Sequence, residues 1–192
     1  MSAWIHMIGD EDADEQLREF LDQARTPHGT VDNVMRVHSL RPATMQGHVA
    51  LYRSALHNSA NTLPPWLQET LSSYVSILNE CAYSLANHWA NARHLIGDDQ
   101  RADAIEDALH SGVLTPVFSG RDLALLNYAR KLTQTPNDMI QADVQALRLA
   151  GLDDGEILEA NQVIAYFNYA NRLVNGLGVT TDGDVVGYYP TT

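Results

Sequence analysis

The chain has 192 residues, with 24 Asp plus Glu against 12 Lys plus Arg, a formal net charge of -12, and one cysteine, Cys81. Such acidity without a basic run argues against partners with phosphate backbones, nucleic acid above all, and against anionic membranes. A single cysteine excludes an intrachain disulfide framework and Cys-rich zinc folds. With 45% apolar residues and a mean hydropathy of -0.23, the composition is that of a globular chain.

Residues 1–9 carry no Lys or Arg and run directly into acid, unlike a secretory leader, and no apolar run of about 18 residues occurs. The expected location is cytoplasmic, with 1–9 a short N-terminal extension.

Asp10 to Asp22 holds seven acids, and Leu17, Phe20, Leu21 and Ala24 recur at helical spacing, which predicts an acidic surface helix closed by Pro27 and Gly29. Val31 to Leu40 reads as a short helix. Pro42 opens the next, marked by Met45, Val49, Tyr52 and Leu56, and the Asn-, Ser- and Pro-rich stretch from His57 to Pro65 reads as a loop.

Leu67, Leu71, Tyr74, Val75 and Leu78 form one apolar stripe. Cys81, Leu85, Trp89, Ala92 and Ile96 form a second, stopped by Gly97. Further helices centre on Ile105, on Leu126 and on Val144, the last running from Asp138 to Ala150. The final one starts at Asp153, with Glu156 in capping-box position, and continues to Asn175, where Gly176 and Gly178 end it. Strand signal is confined to a weak alternation over Val185 to Tyr189. The reading is a single all-α domain over 1–192, about eight or nine helices, with a helical hairpin at 66–96 and a Gly-rich tail at 176–192.

Chemistry concentrates in that hairpin. Cys81, Ser84 and His88 fall at i, i+3 and i+7, one helical face and also the apolar one. If the chain turns at Asn79-Glu80, Glu69 lies ten residues before the turn and His88 nine after it, level in an antiparallel pair. A carboxylate, an imidazole, a hydroxyl and a thiol would then share a pocket, with Cys81 near a helix N-terminus that favours its thiolate and His88 available as base. Taken singly, each residue has an ordinary structural explanation, the cysteine as packing and the histidine as a satisfied core group.

The segment ETLSSYVSILNECAYSLANH, Glu69 to His88, resembles the core of the AhpD-like alkylhydroperoxidase and carboxymuconolactone decarboxylase superfamily, in its peroxidase-related branch. HSLRPATMQGHVALY at His38 to Tyr52, YFNYANRLVNGLGV at Tyr166 to Val179 and GYYP near the end extend the resemblance over roughly residues 15 to 190. The resemblance implies an AhpD-like helical subunit that forms homo-oligomers, trimers or hexamers, through its helix faces. It also implies a site of Glu69, Cys81 and His88, with Ser84 standing where redox-active members carry the second cysteine of a Cys-x-x-Cys. That second thiol is usually assigned the attack on peroxide. Serine cannot close a disulfide, so the implied activity reduces to a one-cysteine version: Cys81 reduces a hydroperoxide, becomes a sulfenic acid and is restored by an external thiol. Two other readings stand beside this antioxidant peroxidase. One is a lyase or isomerase of the decarboxylase type, acting on a small organic acid through Glu69 and His88; the other is a non-catalytic oligomer.

No cofactor is expected. His88 with His94, and His38 with His48, raise a metal reading, but no HExxH or comparable spacing supports one. Asn161, Asn168, Asn171 and Asn175 share one face of the last helix, which reads as interhelical or subunit hydrogen bonding rather than a ligand lining. Tyr166, Phe167 and Tyr169 read as core or interface aromatics.

Overall fold

The computed structural model describes residues 2–189; Met1 and residues 190–192, the outermost parts of the expected extension and tail, lie outside them. Among the described residues the chain forms α-helices, one 3-10 turn and no strand. The expected weak strand at Val185 to Tyr189 is absent.

Two of the expected helices come out shorter. The acidic run is split: α1 covers Glu15–Gln23, its first turn capped by Asp14, which accepts the Leu17 N–H at 2.8 Å. Asp10 stands outside the helix and binds Arg36 at 2.6 Å and Arg25 at 3.1 Å, which holds its carboxyl below the usual range. The predicted helix at Val31 to Leu40 contracts to the single turn α2, Asn33–Arg36. Its i−3 backbone bonds, His38 to Met35 and Ser39 to Arg36, wind the remainder into turns.

α3 (Pro42–Leu56) starts at its proline as expected. α4 (Pro65–Leu78) and α5 (Ala82–Ile96) make the hairpin. α6 (Asp99–Ser111), α7 (Gly120–Gln134), α8 (Gln141–Leu149) and α9 (Asp154–Leu177) complete the order, with the separate 3-10 turn Pro136–Asp138 taking what looked like the start of α8. α9 begins with the Asp153–Glu156 capping box and runs through Gly176 to Leu177.

α4 is the axis of the fold, packed by α5, α6, α7 and α9. Every residue from Leu67 to Ser76 is buried, so α4 is enclosed all round rather than along one stripe. Its polar positions tolerate this because their hydroxyls bond back one turn: Thr70 to Trp66 O, Ser72 to Gln68 O, Ser73 to Glu69 O and Ser76 to Ser72 O, all at 2.7–2.8 Å. Small side chains also let the surrounding helices approach. The asparagine face of α9 ties it to this axis and to α7: Asn175 donates to Asn79 O at 3.0 Å, Asn171 meets Ser76 at 3.4 Å, and Asn161 donates to Tyr128 Oη at 2.8 Å. The interhelical reading of that face holds.

The main core runs over α4 to α9, and a second apolar cluster joins α1 to α3 through Leu17, Leu21, Met35 and Met45. The ends of the chain close on each other: Trp4 N–H bonds Leu177 O at 2.8 Å and Thr180 N–H bonds Ser2 O at 2.9 Å. Gly178 there is obligatory on two grounds. Its φ is +59°, and a Cβ would stand 2.2 Å from the Trp4 ring. No helix among the described residues is long and apolar enough to cross a membrane.

Candidate functional site

The hairpin turn is a Schellman-type cap. Glu80 takes the left-handed conformation (φ +52°), Cys81 N–H reaches back to Ser76 O at 2.8 Å and Glu80 N–H to Ile77 O at 3.0 Å. The reversal brings Glu69 and His88 level. Glu69 Oε2 lies 2.6 Å from His88 Nδ1, and Asn91 donates to Oε1 at 3.3 Å. Both partners are withdrawn from solvent, with side chains 4% and 12% exposed. A carboxylate can only accept, so Nδ1 donates, and Nε2 is the ring nitrogen left without a protein partner among the described residues. Phe167 fixes the ring edge-on at 4.4 Å between centroids.

His88 lies in the wall of a cavity of about 260 Å³, with Ser84, Asp32, Tyr52, His57 and Tyr166. Neither Cys81 nor Glu69 joins them, Glu69 reaching the cavity only through His88, which corrects the expected four-group pocket. Cys81 is 1% exposed and packs in an apolar cluster with Ala3, Val37, Tyr83, Val174 and Val179, against which Val34 also packs; of these, Tyr83 and Val34 belong to the cavity wall. As the residue capping α5, Cys81 has φ -99° and ψ 91°, outside the helical region. As a cap, Cys81 stands outside the helical repeat that relates Ser84 to His88. The hydroxyl of the Cys-x-x-Ser faces the cavity and the thiol faces the core.

Asp32 gives no local signal for this role, and sequence reasoning missed it. It sits where a helix cap would, yet makes no cap bond. Asp184, from the tail, takes that function with both oxygens on the Asn33 N–H at 3.1 and 3.0 Å, and accepts the Tyr83 hydroxyl at 2.6 Å. Asp32 is thereby left in the cavity wall with Oδ1 buried and without a hydrogen-bond partner. Burial, reinforced by the nearby Asp184 charge and opposed by His88, pushes the Asp32 carboxyl up to about 7.

The tail forms one side of the site. Gly187 N–H bonds Asn87 Oδ1 at 3.1 Å, Tyr188 N–H bonds Asn91 Oδ1 at 2.6 Å, and the Tyr188 ring stacks on His57 at 4.5 Å. His57 Nε2 in turn meets Tyr52 Oη at 2.8 Å.

His94 stacks on Tyr189, and His38 Nε2 meets His48 Nδ1 at 2.9 Å, within hydrogen-bond range of each other. No group of three or more His, Cys, Asp and Glu suited to a metal occurs among the described residues.

No family model matches the chain, and no curated protein does. Solved structures do. A peroxidase-related protein with the alkylhydroperoxidase AhpD core from Ralstonia eutropha superposes with a TM-score of 0.80 at 21% identity, over 94% of this chain and 93% of that one. A peroxidase-related protein from a Silicibacter species gives 0.78 at 21% identity, over 93% and 91%. The debrominase Bmp8, as a cysteine-to-alanine variant in complex with 2,3,4-tribromopyrrole, gives 0.75 at 14% identity, over 94% and 92%. The chain therefore has the AhpD-like all-helical fold. Within that fold its neighbours are described as peroxidase-related proteins on one side and a debrominase on the other.

Proposed function

We propose that the protein is an acid–base enzyme, of lyase or isomerase type, acting on a small organic molecule held in the cavity. One observation carries this reading: the Glu69–His88 pair, 2.6 Å apart through Nδ1, leaves Nε2 of a cavity-wall residue without a protein partner among the described residues, while the only thiol packs elsewhere. A substrate C–H or O–H would lose its proton to Nε2. The imidazolium so formed is stabilised by the Glu69 carboxylate, then returns the proton at the same or a neighbouring position. Asp32, with its carboxyl raised to about 7, supplies a second proton-transfer group in the cavity wall. The cavity volume of about 260 Å³ suits a single ring or a short acid, and the debrominase neighbour bound to a tribromopyrrole supports a single-ring occupant.

The peroxidase reading needs a thiol that peroxide can reach, and the cavity-facing position of the motif is Ser84. Peroxide chemistry through Cys81 is therefore the reading to be displaced by the same experiment. Small unsaturated lactones and oxo acids are incubated with the protein in D₂O, and deuterium incorporation and product are followed by proton NMR. The wild type is expected to exchange and convert at least one of them. His88→Ala should fall to background and Glu69→Gln by about 10²-fold, the low end of what a positioned base contributes. No exchange above background, together with hydroperoxide consumption that disappears in Cys81→Ala, would overturn the proposal.

A further inference from the structure

Next to the cavity runs a second hydrogen-bonded string of side chains. Tyr166 Oη lies 2.9 Å from His48 Nε2, His48 Nδ1 lies 2.9 Å from His38 Nε2, and His38 Nδ1 lies 2.8 Å from Thr44 Oγ1. Thr44 Oγ1 is also 2.8 Å from the carbonyl oxygen of Arg41. The three inner members are buried, Tyr166 at 4%, His48 at 2% and His38 at 7% exposure. The two ends are not closed off. Tyr166 belongs to the cavity wall, and Thr44 is exposed on α3.

The direction of the string follows from its chemistry. A carbonyl only accepts, so the Thr44 hydroxyl donates to Arg41 O and its oxygen accepts from His38 Nδ1–H. His38 is neutral, burial holding it below the ordinary range, and so its Nε2 is a lone pair that accepts His48 Nδ1–H. His48 is neutral as well, and so its Nε2 accepts the Tyr166 O–H. All four contacts are satisfied at once only in this arrangement. It leaves the lone pairs of Tyr166 Oη as the end available to the cavity.

Every member can both take and give a proton, with no carboxylate, ammonium or amide to interrupt the sequence. The Glu69–His88 pair differs on this point. Among the described residues the Glu69 carboxylate bonds only His88 and the Asn91 amide, and an amide cannot relay a proton, so the pair has no onward path. A buried string of polar groups could also serve packing alone, but packing does not require amphoteric groups from cavity to surface.

We propose that Tyr166, His48, His38 and Thr44 form a proton conduit between the cavity and bulk water. A proton given to Tyr166 Oη by a bound acid displaces the tyrosine's own proton to His48 Nε2. The His48 Nδ1 proton then moves to His38 Nε2, the His38 Nδ1 proton to Thr44 Oγ1, and Thr44 releases one to water. One proton leaves, the bound acid stays in the cavity as its conjugate base, no charge remains on the string, and both imidazoles end in the opposite tautomer. A return stroke, inward from water, restores the starting direction. The use of the conduit rests on the acid–base reading above; its existence does not.

The test uses the full-length protein, labelled with ¹⁵N and free of substrate, so a failure of the enzymatic reading leaves it standing. Two-bond ¹H–¹⁵N spectra should show His38 and His48 both as neutral Nδ1–H tautomers. Solvent exchange of the buried His38 Nδ1 proton, which one outward stroke hands to the exposed Thr44 hydroxyl, should slow by about 10-fold or more in Thr44→Val, which keeps the side-chain shape and removes that hydroxyl. Thr44→Ser should retain the wild-type rate, whereas Tyr166→Phe should slow exchange as well, because the outward stroke then lacks the proton that refills His48 Nε2. An Nε2–H tautomer at either histidine would overturn the proposal. So would a Thr44→Val exchange rate equal to or above the wild-type rate, since exchange would then proceed by local opening rather than along the string.

Discussion

The two histidine strings of this molecule are built from different materials. The Glu69–His88 pair comes from one hairpin, its members 19 residues apart, and ends in a buried carboxylate. The Tyr166–His48–His38–Thr44 string is assembled from the turn after α2, from α3 and from α9, with one contact spanning 118 residues, and contains no formal charge. A carboxylate behind an imidazole fixes where positive charge is held. Amphoteric neutral groups hold no charge and pass it on. An acid–base site uses both properties, one to keep a proton during a reaction step and one to exchange it afterwards.

Removing the charged end should show the larger effect. Glu69→Ala leaves the His88 Nδ1–H and the Asn91 amide facing an empty space where the carboxylate was, and should cost about 1–3 kcal/mol, the usual penalty for buried donors left without a partner. Urea unfolding at pH 7 measures it. Glu69→Gln keeps a hydrogen-bonding oxygen and should cost clearly less. A loss under about 1 kcal/mol for the alanine variant would mean that the pair behaves as a solvated contact, and the contrast with the neutral string would fail.

The pH dependence should separate the neutral string from the acid in the cavity wall by sign. His48 is pushed down to about 3 by burial and then by its neighbour His38. Its unfolded form takes up a proton near pH 6.5 that the native state refuses, so this contribution is present above pH 6.5 and is lost as pH falls toward 3. The slope approaches about 1.4 kcal/mol per pH unit within that window. Asp32 is raised to about 7, first by burial and then by Asp184. Its contribution is present below about pH 4 and is lost as pH rises toward 7, with a total of about 1–2 kcal/mol once its partial exposure is discounted. His48→Gln should therefore flatten the acid side of the stability profile, and Asp32→Asn the side between pH 4 and 7. Profiles unchanged in both variants would remove the electrostatic distinction between the two regions.

What the sequence made legible was the local part of this picture. Apolar spacing and caps such as Asp153 and Gly97 locate the helices, and the count of residues on either side of Asn79-Glu80 brings Glu69 opposite His88, because a hairpin of two straight helices is a one-dimensional problem. Face arithmetic failed at Cys81, since 100° per residue applies only inside a helix and Cys81 is its cap. Asp32 and the His48 string carry no local pattern. Asp32 is freed by Asp184, 152 positions on, and His48 acquires its meaning from Tyr166. The Gly-rich tail likewise reads as loose chain until Asn87 and Asn91 supply partners for its backbone.

The smallest effect is expected at Cys81, and it tests whether either string activates a thiol. With 1% exposure and a surround of Ala3, Val37, Tyr83, Val174 and Val179, its sulfur can meet a reagent only when that cluster opens. Labelling of the native protein by a disulfide reagent should thus run at least about 10²-fold below that of the denatured chain, and Cys81→Ala should cost only about 1 kcal/mol as a small lost packing volume. Labelling as fast as in the denatured chain would show that the cap of α5 opens readily toward solvent. Oxidation by organic hydroperoxide faster than that of free cysteine would go further: the dyad would then be serving the thiol, Ser84 would no longer define what the cavity can attack, and the peroxidase reading would replace the acid–base one.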